Sequence, residues 1–192
     1  MSRMLTAALV AVSALLFVSA AAQALPIVSV DADPNTAGIQ STINIQNGDS
    51  FDVDIVISGV DAASPLNGFE FDLFFDPVRL AATGVVDGGF LSAPVISIQN
   101  VIGAMSVEFA EVSLGAIGAS GSGTLATISF VAQGAGDSLL DLQNVLLSAP
   151  FGVQIAGAVN DGSVGVVPEP TGAMLFAVGF LVASRRRIAG GR

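Results

Sequence analysis

Two stretches of this chain, GDSFDVDIVIS (residues 48–58) and NGFEFDLFFD (residues 67–76), alternate apolar and polar side chains at a period of two. In an extended strand successive side chains point to opposite faces, so this period buries one face and leaves the other in water. Phe51, Val53, Ile55 and Ile57 then share a face opposite Asp52, Asp54 and Ser58. Phe69, Phe71, Leu73 and Phe75 do the same opposite Glu70, Asp72 and Asp76. Further short apolar or alternating runs lie at 27–30, 42–45, 95–98, 105–109, 125–131, 139–142, 145–147 and 153–155, separated by Gly, Asn, Asp and Ser clusters, about ten runs in all. Between residues 27 and 164 no run has the length and 3.6-residue period of a helix. The expected class is therefore all-β, a two-sheet antiparallel sandwich with helices only at the two termini. Its core is predicted to hold Val53, Ile55, Phe69, Phe71, Leu73, Phe75, Ala126, Ile128 and Phe130.

The termini have a different character. In MSRMLTAALVAVSALLFVSAAAQALP, Arg3 is a positive leader, residues 5–18 are apolar, and Ala22-Gln23-Ala24 is an A-x-A cleavage site. This is the pattern of a secretory signal peptide, against the alternative of a first core helix that lacks an amphipathic stripe. The expected divisions are residues 1–24 for the signal, 25–165 for one sandwich domain, and 166–192 for a terminal segment. That segment contains an uncharged run at 171–184 followed by Arg185, Arg186 and Arg187. A helix of this length rises about 21 Å, short of the roughly 30 Å hydrocarbon core, so it spans a membrane only marginally. Counting back to Val166 adds length. The packed arginines favour a membrane stop over a buried terminal helix, with the domain outside.

Charge and missing residue types narrow the function. Residues 25–167 hold fifteen Asp and Glu against the single Arg79, a net charge of 1 minus 15, or −14. Such a surface repels nucleic acid and anionic lipid. The chain has no Cys and no His; it also lacks Lys, Tyr and Trp, so no disulfide supports the fold and a nucleophilic serine finds no base. Asp31, Asp33 and Asn35 in DADPNTAG resemble the start of a calcium loop, but Thr36 replaces its glycine and Thr42 its bidentate glutamate. A polar turn is the preferred reading, with no metal and no cofactor. Glu108 and Glu111 are the nearest carboxylate pair in an apolar setting. Three residues apart on a strand they point to opposite faces, which weakens the case for a carboxylate hydrolase and suits a solvated strand edge. The glycine-rich stretch 115–123 lacks the Lys and the helix of a phosphate loop and reads as a flexible loop between strands.

Three segments taken in order, GDSFDVDIVISGV, LNGFEFDLFFDPVRLAATGV and GSGTLATISFVAQGAG, resemble cohesin-type domains over about residues 27–157. The most specific piece is Phe75-Asp76-Pro77 followed by Leu80: Pro77 cannot donate to a ladder and Asp76 suits the turn that follows. The resemblance implies a jelly roll of about nine strands. In some members it implies binding of a calcium-loaded dockerin through one face of a sheet.

The tail resembles the PEP-CTERM sorting signal. By that resemblance Pro168, Glu169 and Pro170 are the recognition element for an exosortase-type sorting enzyme, and Arg185 to Arg187 the membrane stop. Signal peptidase would read Ala22 and Ala24 and cut after Ala24, and the inner membrane would be a transient anchor in a Gram-negative cell that makes exopolysaccharide. The implied function is a non-enzymatic surface or matrix protein, structural or adhesive. The alternative is a specific binding module for a dockerin-like partner or a glycan. A surface protein or polysaccharide is the expected partner, and nucleic acid is not.

Overall fold

The structure is a computed structural model and describes residues 25–169. Twelve strands follow one another: β1 (Ile27–Asp31), β2 (Thr42–Gln46), β3 (Ser50–Val60), β4 (Gly68–Phe74), β5 (Leu80–Asp87), β6 (Val95–Ile102), β7 (Ser106–Ser113), β8 (Gly121–Ala132), β9 (Gly136–Ala149), β10 (Val153–Ile155), β11 (Ala158–Asn160) and β12 (Gly162–Val167). They form two facing sheets. One has the order β11-β1-β3-β8-β5. The other runs β2-β12-β9-β4-β7-β6, with β10 added on β9. The described residues contain no α-helix, only a 3-10 turn at Pro150–Gly152.

Alternation decides which side chains meet between the sheets. All nine residues expected in the core are buried, together with Val28, Leu80, Val107, Phe109, Leu140 and Val164. Phe69 and Phe71 stack within one sheet and Phe109 packs tilted against both, ring centroids 6.0 to 6.2 Å apart. Phe75, just past β4, meets Phe130 of the opposite sheet edge-on at 5.2 Å and ties the layers together. The corner after β4 is built by Asp76. Its Oδ1 accepts the Val78 amide at 2.8 Å and its carbonyl accepts the Leu80 amide at 2.9 Å. Leu80 is thereby turned into the core, where it is fully buried.

Several expectations need correction. Strand pairing is not wholly antiparallel, since β1 pairs with β11 and β12 with β2 in parallel. The reason is geometric: β1 and β2 are two halves of one path that crosses from sheet to sheet, and β11 and β12 make the same crossing beside it. The runs at 139–142 and 145–147 are one strand, β9, with Asn144 at φ 51 where β9 shifts register against β4. Asparagine tolerates this left-handed conformation better than most residues. β5, β11 and β12 were not among the expected runs, and twelve strands replace nine or ten. Val164 and Val166 are buried in β12, so a membrane span cannot draw on Val166. β12 runs two residues past the expected boundary at 165.

Candidate interaction surface

The outward face of β6, β7, β4 and β9 is set by the same alternation that fills the core. While Phe69, Phe71 and Leu73 point inward, Glu70 and Asp72 point out, and register places Ala110 and Glu108 of β7 beside them. On the far side, Leu146 of β9 faces Glu70. Between these rows lies a groove of about 270 Å³, lined on its apolar side by Ile98, Ala110, Val112 and Leu146. Its floor is low at Gly68, where a Cβ would stand 3.0 Å from Ser148 Oγ and 3.2 Å from the Glu111 carbonyl. The surface thus combines a small apolar trough with a carboxylate row.

That row contains a cost. Asp72 and Glu108 are direct cross-strand partners, and like charges so placed destabilise a sheet. Each carboxylate is held by an amide donor: Asn144 Nδ2 donates to Asp72 Oδ2 at 2.6 Å, and Gln99 Nε2 to Glu108 Oε2 at 2.5 Å. Two neighbouring strands, β9 and β6, therefore supply the side chains that hold the pair in place, and carboxylates so held can accept from a cationic or hydrogen-donating group.

Glu111 stands on the other face of β7, as strand geometry requires, yet the expected solvated edge is wrong. β7 lies between β4 and β6, and Glu111 is only 4% exposed. Burial, followed by the charge of Asp87 at the end of β5 and a hydrogen bond with it, pushes the Glu111 carboxyl up to about 7. Glu108 and Glu111 do not converge on one substrate.

Asp31 is 7% exposed and holds a turn, its Oδ1 accepting the amides of Gln40 at 3.0 Å and Asp33 at 3.3 Å. Asp33 Oδ2 accepts the Thr36 hydroxyl at 2.6 Å. These contacts account for the DADPN residues as turn formers, and no cluster of three metal-ligating side chains occurs among the described residues. The stretch 115–123 is only partly a loop. Ala119 bridges to Leu66, and β8 begins at Gly121, four residues before the expected run. Gly118 and Gly123 pack so tightly, against the Leu66 carbonyl and the Phe90 ring, that a Cβ at either would approach to 2.6 Å.

Pro168 and Glu169 directly follow β12 and are exposed. Ala22, Ala24, Pro170, Arg185, Arg186 and Arg187 lie outside the described residues. No helix among the described residues is long and apolar enough to cross a membrane. Sequence reasoning missed Asn144, Gln99, Ile98 and Leu146 as surface-forming residues, because their grouping arises from cross-strand register.

A cohesin-domain family model matches residues 36–166. The chain belongs to the cohesin-domain family. Cohesin domains are protein-interaction modules rather than enzymes. Similar solved structures include a non-cellulosomal cohesin of Archaeoglobus fulgidus at 18% identity, covering 80% of this chain and 98% of that one with a TM-score of 0.60. A cohesin of Clostridium acetobutylicum is 20% identical, with coverages of 76% and 92% and a TM-score of 0.60. A type I cohesin–dockerin complex of Clostridium thermocellum is 14% identical, with coverages of 76% and 95% and a TM-score of 0.61. No curated protein sequence matches the chain.

Proposed function

We propose that this chain is an exported, non-enzymatic module that holds a protein partner on the outward face of β6, β7, β4 and β9, and that its tail sorts it to the cell surface or extracellular matrix. The observation that carries the reading is the Asp72–Glu108 pair, fixed at a stability cost beside an uncovered apolar groove. Structural need does not explain two opposed carboxylates held by dedicated amides, whereas a partner that neutralises them does. The cohesin fold, and similar structures solved with dockerins, make a dockerin-like domain the first partner to try.

The export and sorting part rests on the termini. A signal peptide ending at Ala22 and Ala24 would deliver the domain, and Arg185, Arg186 and Arg187 would stop the tail in the inner membrane. An exosortase-type enzyme would then recognise Pro168, Glu169 and Pro170. β12 ends at Val167, directly before Pro168, which supports a recognition element that starts at the edge of the domain. Delivered to the surface or matrix of an exopolysaccharide-producing cell, such a module is a structural or adhesive component.

The test is calorimetric titration of the purified chain with calcium-loaded dockerin domains and with proteins captured from the parent cells. Binding is expected, and Leu146→Asp, which changes an exposed groove residue, is expected to weaken it by about tenfold or more, or roughly 1.4 kcal/mol. Unchanged binding by Leu146→Asp and by Asp72→Asn would remove the face from the proposal.

A further inference from the structure

Beyond this face the molecule has a second uncovered feature. β6 closes one margin of its sheet: it pairs with β7 on one side, and no strand pairs with its other side among the described residues. Its sequence, VISIQNVI, carries no charge. Six of its eight residues are exposed, among them Ile96 at 48%, Ile98 at 69% and Val101 at 48%. A strand margin presents a row of unpaired amides and carbonyls, and proteins ordinarily blunt it with charge, proline or a very short edge. The other margins among the described residues fit that habit: β5 ends in Asp87, while β2 has five residues and β11 three. β6 has only Pro94 before it and a bulge between Ser97 and Gln99.

We propose that β6 is a dimerisation strand, pairing antiparallel with β6 of a second copy of this chain about a two-fold axis between Ile98 and Gln99. Two observations select a second copy over a foreign strand. The first is charge. A domain of net charge −14 repels itself over most of its surface, and β6 holds none of its fifteen carboxylates. The second is self-complementarity. Folding VISIQNVI back on itself sets Val95 against Ile102, Ile96 against Val101 and Ser97 against Asn100 of the second copy, apolar on apolar and polar on polar. Ile98 falls beside Gln99 of the second copy at the axis. The bulge then lies at the centre, so the two arms, 95–97 and 100–102, pair without crossing it. An isologous contact of this kind closes on itself and stops at two. It joins two sheets into one and places both candidate binding faces on the same side of the molecule.

The absence of cysteine makes the register directly testable. Ile96→Cys and Val101→Cys are prepared as single variants of the full chain in detergent and oxidised alone and as a mixture. Directly opposed residues have Cβ atoms about 4.5–5.5 Å apart, close enough to link with a small adjustment. The mixture is expected to form disulfide dimers, and each variant alone at least about tenfold fewer. Ile98→Lys is expected to abolish linking when placed in both partners, and to shift the sedimenting species from dimer to monomer. Because residue 98 is exposed, the variant should melt with the wild type once both are dilute enough to be monomeric, and below it at concentrations where the wild type is a dimer. A monomeric wild type, equal linking by one variant alone, or a dimer that survives Ile98→Lys would each overturn the proposal.

Discussion

Phe71 shows how little freedom a single residue has in this sandwich. It is 1% exposed and touches both Phe69 and Phe109, so truncation removes a large apolar body that its neighbours cannot replace. Phe71→Ala should cost about 3 to 5 kcal/mol in denaturant unfolding; a loss under about 1 kcal/mol would contradict the packing described. Glu111 makes the opposite contribution. Its carboxyl is raised to about 7, above its ordinary value of 4.5, so the folded state holds a proton that the unfolded chain releases earlier. The stability this provides is complete below about pH 4.5 and is lost as pH rises through 7. A tenfold difference in proton affinity between the folded and unfolded chain corresponds to about 1.4 kcal/mol, so Glu111→Gln should flatten this slope and gain on the order of 2 kcal/mol over the wild type between pH 5 and pH 8. Thermal melts of both proteins across that range would show it. Parallel curves would mean that Glu111 ionises freely.

Among the elements, the turn between β1 and β2 tests the role of its acids. Asp31 and Asp33 are already occupied by the amides of Gln40 and Asp33 and by the Thr36 hydroxyl. Chelator should therefore leave the melting temperature of the purified chain unchanged; a fall of more than about 4 °C, near 1 kcal/mol for a domain this size, would assign the turn to calcium. The same turn shows where reading by pattern ended. DADPN was legible as a turn because proline and asparagine favour one. Its consequence, a chain that switches sheets between β1 and β2, was not. β5 escaped notice for a related reason: LAATGVVD mixes small and apolar residues without alternation, and only its pairing with β8 makes it a strand.

At the scale of the whole molecule, the two expected ends and the domain between them separate sorting from plain anchoring. Changing Pro168, Glu169 and Pro170 to alanine leaves the apolar run and the arginines intact, so the chain should accumulate as an anchored precursor in the inner membrane. If Arg185, Arg186 and Arg187 stop a short membrane span, as proposed, changing them to serine removes that stop, so the chain should be mislocalised whether or not a sorting enzyme is present. Fractionation with intact-mass analysis distinguishes these outcomes. Identical processing and location of the wild type and the alanine variant would leave only a simple anchor.

The period-two alternation by itself determined that the described domain is all-β and which faces of β3, β4 and β8 are buried, because side-chain direction along a strand is a local property of the backbone. Composition determined its acidity and its lack of the usual nucleophilic machinery. Only the tertiary structure decided the partners. Register set Asp72 against Glu108, brought Asn144 and Gln99 to hold them, took Glu111 out of water beside Asp87, and left one edge of β6 unpaired among the described residues. Each of these depends on residues from different strands meeting across a sheet or between sheets. A pattern within one strand fixes which way a side chain points but carries no information about what it will face.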